Sequence, residues 1–336
     1  MNVTIKDVAR EAGVSVATVS RVLNGSSIVS ESTAAQVNEA IERLGYSPNF
    51  LGRNLRKCAT NKILAIVPST EHTFYSDVLR GLQDAANPTY DVISCNSSSY
   101  LETEMRLLNM LFNRTVDAAV LLGTQLSAEK LNELGEKYNL ALCCEPVDGA
   151  RVLTVTVDNE KAAYDAVCAL IAKGHRRIGM IAASPFAPSS RDREKGYRRA
   201  LSEHGIGYDE ALMHRSTYDY IDGERGYEVL SQLPDPPTAV FCISDILAVG
   251  AVHAAAEAGK VVGEDIDIMG FDNIKLSEMY MPSITTVAQP CYDMGYRTMR
   301  QLLDNMNSEN RSNEHILLPH KLISRDSAPL FKGQVM

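Results

Sequence analysis

Hydrophobic and polar positions divide the chain into two stretches with different periods. Ile5, Val8, Ala9 and Ala12 recur at helical spacing behind Thr4, which reads as an N-cap, and Gly13 closes this first helix. Ser15 caps a second helix that runs to about Leu23, with Val19, Val22 and Leu23 on one face. Gly25 breaks the chain again, and Ser30 precedes a third helix with the apolar face Ala34, Val37, Ile41 and Leu44, stopped by Gly45 and Pro48. From Ile63 onward short apolar runs replace this spacing. "ILAIVP", "DVISCN", "AAVLLG" and "ALCCEP" alternate with helix-like stretches at 76–86, 101–114 and 127–138. A second series, "VLTVTVD", "RIGMIAA", "AVFCIS" and "DIDIMGF", alternates with helices near 160–173, 192–204, 223–233 and 245–258. Such alternation predicts two lobes, each a doubly wound parallel sheet. Segment 284–336 holds "SITTVAQ", a helix at 292–306 and "HILLPHKLIS", a length suited to crossing back and completing both.

The second helix carries Val16, Ala17, Ser20 and Arg21 on the face opposite its apolar one. An amphipathic surface helix with a merely solvated Arg is the blander reading. Against it stand the short Gly-containing turn before this helix, two small apolar residues on its outer face, and a third helix behind it. These features predict an all-α helix-turn-helix whose second helix enters the major groove. Ser15 and the helix N-terminus can then meet a phosphate, Arg21 a guanine edge, and Val16 and Ala17 thymine methyls. Charge agrees with this division. Residues 1–62 hold eight Lys/Arg against five acids, a net +3 that leaves −12 for the rest of a chain whose total is −9.

Composition narrows the class further. A length of 336 residues, 45% hydrophobic and 22% charged, suits a soluble globular protein of two or three domains. No run of about 18 apolar residues predicts a membrane span, and "MNVTIKDVAREAG" has no apolar export region. Seven cysteines, an odd number without a C-x-x-C pair, fit buried thiols in a cytoplasmic protein. Phosphate-loop, dinucleotide, nucleophile-elbow and H-E-x-x-H motifs are absent, and the His residues are scattered, so neither an enzyme nor a metal site is expected.

"TIKDVAREAGVSVATVSRVLN" resembles the DNA-binding head of the LacI/GalR repressor family, and "GYSPNFLGRNL" resembles that family's hinge helix. "GHRRIGMI", "REKGYRRAL", "PTAVFCISDILAVGA", "IMGFDN" and "ITTVAQP" resemble its core motifs. "GRNLR", "PPTAVFC", "FDNI" and "TTVAQP" look most like its cytidine-repressor branch. The resemblance implies a helix-turn-helix domain over 1–46, a hinge helix and linker over 47–62, and a periplasmic-binding-protein-like core over 63–336. Within the core it implies an N-lobe of about 63–157 and 291–319 and a C-lobe of about 158–290 and 320–336. It places Thr4, Ser15, Val16, Ala17, Ser20, Arg21 and Asn24 on operator DNA, joined by Asn49, Arg53 and Leu55 from the hinge, with Leu55 as a minor-groove wedge. The partners it implies are double-stranded operator DNA, a small-molecule effector, a second copy of the chain as homodimer, and a second transcription regulator. No cofactor is implied. No leucine heptad follows residue 320, so no tetramerisation tail is expected.

For the cleft between lobes, the resemblance points to Phe74, Tyr75, Thr124, Asp158, Arg193, Tyr218, Ser244 and Asp272. Aromatic faces can stack on a base or sugar ring, while a guanidinium fork and carboxylates can hold vicinal hydroxyls. Phe74 fits a plain core position equally well, Asp158 fits a helix cap equally well, and Asp245 reads as the N-cap of helix 245–258. The chain has no Trp, the usual platform for a pyranose, which tilts the expected effector towards a nucleoside. A sugar or a purine is the alternative. A solute-binding protein is the rival from another class, and the DNA-binding head argues against it.

Overall fold

The computed structural model describes residues 3–23, 28–46, 59–183, 187–308 and 311–330. The chain forms two compact units, Met1–Thr60 and Asn61–Met336. The first contains helices α1 (Ile5–Glu11), α2 (Val16–Leu23) and α3 (Glu31–Leu44). Thr4 starts α1: its backbone N–H and its hydroxyl both donate to Asp7 Oδ2, at 3.0 and 2.6 Å. These bonds hold the Asp7 carboxyl below its usual range. Gly13 ends α1 with φ +63°, a conformation that carries no penalty without a Cβ, and Val14 N–H reaches back to Ala9 O at 3.0 Å. Val8, Ala9, Val19, Val37 and Ala40 form the small core, with Ile5, Ala12, Val22, Leu23, Ile41 and Leu44 around it. Ala40, three residues after Val37, is buried on the same face, while Ala34 is only half-buried.

The second unit begins with β1 (Lys62–Val67), α4 (Phe74–Ala86), β2 (Asp91–Asn96), α5 (Leu101–Phe112), β3 (Ala118–Leu121), α6 (Ala128–Lys137), β4 (Leu140–Cys143) and β5 (Leu153–Val157). There follow α7 (Asn159–Ala172), β6 (Ile178–Ala183), α8 (Pro188–Glu203), β7 (Met213–Ser216), α9 (Tyr220–Ser231), β8 (Ala239–Cys242), α10 (Asp245–Glu257), β9 (Asp267–Asp272), α11 (Lys275–Met279) and β10 (Thr285–Ala288). The chain closes with α12 (Cys291–Met306), β11 (His315–Leu318) and β12 (Lys321–Ile323). Two six-stranded sheets result, ordered β11-β5-β4-β3-β1-β2 and β12-β10-β9-β8-β6-β7. The chain passes between lobes three times: after β5, after β10, and between β11 and β12.

Both sheets are sandwiched by helices, so their central strands are buried on both faces and read as continuous apolar runs. Helix α12 returns to the first lobe and packs on α4 through facing glycines. A Cβ at Gly295 would lie 2.0 Å from Val78 O, and one at Gly81 would lie 2.1 Å from Tyr292 O. Two features depart from the sequence pattern. Strand β7, "MHRS", is a polar edge strand without an apolar run to announce it. β12 pairs antiparallel with β10, so the second sheet is not wholly parallel. Among the described residues no helix is long and apolar enough to cross a membrane.

Candidate operator face and effector cleft

On α2, Val19 is buried while Ser15, Val16, Ala17 and Arg21 are exposed; Ser20 is half-buried. Ser15 Oγ accepts from Thr18 N–H at 3.1 Å, fixing the start of the helix. Arg21 makes no ion pair among the described residues, so its guanidinium stands free on the outer face. Thr4 lies exposed at the start of α1. The expected contacts Asn24, Asn49, Arg53 and Leu55, with most of the hinge over 47–62, lie outside the described residues.

Between the lobes of the second unit, at the C-terminal ends of the strands, lies a cavity of about 270 Å³. Six of the eight expected residues line it. Phe74 and Tyr75 open α4 after β1, Thr124 follows β3, Arg193 sits on α8, Tyr218 follows β7 and Asp272 ends β9. Asp158 and Ser244 are corrected. Asp158 is exposed and caps α7, accepting from Lys161 N–H at 2.8 Å, and the next residue, Asn159, turns inward instead. Ser244 is buried as the cap of α10, accepting from Leu247 N–H, which leaves Asp245 inside the helix rather than capping it. In both cases a polar residue just after the strand accepts from an otherwise unpaired N–H of the following helix, and neither lines the cavity.

Arg193 is held before any ligand arrives. Its Nε donates to Asn159 Oδ1 at 2.9 Å, its Nη1 donates to Ile243 O, and its Cζ stands 3.7 Å from the Phe271 ring centroid. Asp272 Oδ1 pairs with Arg193 Nη1 at 3.5 Å and accepts from Gln289 Nε2 at 2.7 Å. Burial pushes the Asp272 carboxyl up to about 6, against the opposing pull of Arg193 and Gln289. Its backbone is in a left-handed turn, with φ +112° at Asp272 and +57° at Asn273, a costly conformation for residues with a Cβ. Buried Asp245 holds that turn, accepting from Ile274 N–H at 2.8 Å and from Thr286 Oγ1 at 2.6 Å. Arg325 Nη2 donates to Asn273 Oδ1 at 2.7 Å. Burial, then the charge of Asp272, raises Asp245 to about 8.

The facing wall is different. Phe74 and Tyr75 meet edge to face with centroids 5.1 Å apart, and His72 meets Tyr218 across the cleft at 5.7 Å. Burial pushes the His72 imidazole below its usual range and the Tyr75 phenol well above its own. Glu145, which the sequence pattern leaves unassigned, bridges the lobes. Its Oε1 accepts from Ser189 Oγ at 2.5 Å, and its Oε2 accepts from Ser189 N–H at 3.1 Å, in the first turn of α8. An anion there is favoured by the helix dipole, although burial raises its pKa. Asp148 and Arg191 form a second bridge at 3.0 Å. Glu104 and Gln289 were also unassigned; Gln289 stands in the quoted motif "TTVAQP", but only the fold turns it towards Asp272.

Residues 4–49 match the model of bacterial regulatory proteins of the lacI family, and residues 167–328 match a periplasmic binding protein-like domain. Catabolite control protein A of Priestia megaterium is 38% identical over 330 residues, covering 97% of this chain and 99% of its own. The chain belongs to the lacI family. The HTH-type transcriptional repressor CytR of Escherichia coli is also 38% identical, over 96% of each chain. The lac repressor dimer, bound to operator and the anti-inducer ONPF, matches the fold with a TM-score of 0.87 and 25% identity, covering 98% of this chain and 100% of that one. A complex of the regulator CelR with cellobiose matches with a TM-score of 0.73 and 30% identity, over 97% and 100%. A regulator of this family from Enterococcus faecium, solved with bound ribose, matches with a TM-score of 0.71 and 26% identity, over 81% of this chain and 100% of that one. This lacI-family member is a ligand-responsive transcriptional repressor and, as its relatives are transcription regulators, not an enzyme.

Proposed function

We propose that this repressor binds a palindromic operator as a homodimer and takes a nucleoside, most simply a pyrimidine one, as its effector. The observation that carries the effector reading is the buried Arg193–Asp272 pair, facing aromatic side chains across one cavity. A ribose cis-diol suits a guanidinium beside a carboxylate, and Phe74, Tyr75 or Tyr218 offers a face for the base. Thr124 adds a hydroxyl to the wall. Calorimetric titration of ribonucleosides against 2′-deoxyribonucleosides tests it. A deoxy ligand leaves buried polar groups unpaired, so the ribonucleoside should bind about tenfold or more tightly. Equal affinity removes the diol. A hexose that binds where no nucleoside does transfers the reading to a sugar, which the cellobiose and ribose complexes of relatives make the specific alternative.

For DNA, α2 supplies the groove-reading face through Ser15, Val16, Ala17, Ser20 and Arg21. Arg21→Ala should cost about 1–3 kcal/mol at a specific operator and spare most binding to random DNA. Equal loss on both would make Arg21 a phosphate contact. An apolar surface at Leu276, Met279 and Met281, respectively 40, 69 and 88% exposed, offers area for the second copy. Effector and operator affinities must then shift reciprocally, typically by about 1–3 kcal/mol.

A further inference from the structure

Three carboxyl groups share the cavity wall with one cationic side chain. Glu104, Glu145 and Asp272 line it, and among the described residues Arg193 is the lone Lys or Arg that does. Arg193 is already engaged by Asn159, Ile243 and Asp272. Glu145 is answered by Ser189, and Asp272 by Gln289. Glu104, on the first turn of α5, is answered only on one side. It is 1% exposed, and its Oε2 accepts from Thr124 Oγ1 at 3.1 Å and from Gln125 N–H at 3.0 Å. Its Oε1, equally buried, has no hydrogen-bond partner among the described residues. Burial raises its pKa. Nearly every buried polar atom in a native protein is paired, so one without a protein partner calls for a water, an ion or a ligand group. In its ionised form the carboxylate oxygen can only accept, so the group that satisfies it there is an N–H or an O–H.

We propose that Glu104 determines specificity in this cleft: its Oε1 accepts from a donor on the ligand, and with Glu145 and Asp272 it makes the cleft reject a ligand that carries a phosphate. This rests on the reading of the cleft as the effector site and deepens it, because the signal sensed is then the dephosphorylated form of the molecule. A phosphate brought among three carboxyls and one guanidinium, itself paired with Asp272, meets like charge from each carboxyl that is ionised, in a low-dielectric space where such repulsion is barely screened. The donor is a base amino group in a nucleoside and a hydroxyl in a sugar; the chemistry read by Glu104 is the same.

The test titrates the full-length protein with cytidine and uridine, each against its 5′-monophosphate, and with glucose against glucose 6-phosphate. The unphosphorylated ligand should bind about a hundredfold tighter than its phosphate ester, and cytidine, with its amino group, about tenfold tighter than uridine. Glu104→Gln keeps an acceptor for Thr124 and Gln125 and the same size, so it changes charge without changing room. It should weaken the cognate ligand about tenfold and narrow the gap to the phosphate ester. The wild-type discrimination carries the test even where the variant is unstable. A monophosphate bound as tightly as its nucleoside overturns the proposal. So does a Glu104→Gln protein, folded by its unfolding transition, that binds every ligand as the wild type does. Glucose bound in preference to its phosphate, with no nucleoside bound and with loss in Glu104→Gln, removes the nucleoside reading and leaves this one standing.

Discussion

The two lobes order their strands alike, β2-β1-β3-β4-β5-β11 and β7-β6-β8-β9-β10-β12, but line the cleft with different chemistry. The C-lobe wall is polar and fixed: Arg193 is tied by Asn159 and Ile243, and Asp272 is presented by a strained turn that Asp245 and Arg325 hold. The N-lobe wall is aromatic and acidic, with Phe74 and Tyr75 at the head of α4 and Glu104 behind Thr124. One side is arranged before the ligand arrives, and the other offers faces and an unfilled acceptor. Preorganised polar groups bind without the cost of ordering them, so the C-lobe should supply most of the affinity and the N-lobe most of the discrimination.

Truncating the C-lobe anchor should have the largest effect. Arg193→Ala leaves Asp272 buried without its cation, and breaking such a pair costs about 3–5 kcal/mol. Effector affinity should fall at least about a hundredfold in calorimetry, with a lower unfolding temperature. A loss below tenfold would make the two walls equivalent. Phe74→Ala removes one aromatic face from the other side. With base stacking worth about 1–3 kcal/mol, affinity should fall roughly tenfold while the preference for ribose over deoxyribose stays; a changed ribose preference would show that Phe74 touches the sugar.

Acidity separates the walls more finely. Asp272 titrates at about 6 in the folded chain, above the ordinary carboxylate, because burial disfavours its charge. Effector affinity should be level above neutrality and decline as pH falls through about 6, since the neutral acid accepts fewer hydroxyl donors. The same raised value acts with opposite sign on folding. The neutral form is favoured in the folded state, so this group's contribution to stability decreases as pH rises from the usual carboxylate range to about 6. Asp272→Asn should flatten both curves, and an unchanged affinity profile would assign the titration elsewhere. The smallest effect is expected at Arg191→Ala, whose pair with Asp148 is half-buried at Arg191 and exposed at Asp148. Its loss should cost about 1 kcal/mol or less in thermal unfolding.

The head was legible because its helices are set by local spacing and caps: Thr4, Gly13, Ser15, Ser30 and Gly45 mark element ends in sequence and structure alike. The central strands were legible because burial on both faces leaves long apolar runs. β7 was not, being polar and at an edge. In the cleft, motif resemblance named Arg193 and Asp272, which line the cavity, and Asp158, which caps α7 instead while its neighbour Asn159 turns towards Arg193. A strand-to-helix junction carries two adjacent polar residues, and only the turn decides which caps and which points inward. Glu104 was invisible for a different reason. It stands 20 residues before Thr124 on a helix whose polar positions all look solvent-facing, and nothing local records that one of them is roofed over.

The threading of the chain through both lobes also governs how the protein is made. The first sheet lacks its edge strand β11 and the helix α12 that covers it until residues 291–318 emerge, after nearly all of the second lobe. At about 5–20 residues per second of synthesis, the apolar face destined for α12 stays open on the order of tens of seconds. Neither lobe can be released as a finished unit by cutting the chain at any single bond, and a ribosome that stalls late leaves two incomplete sheets.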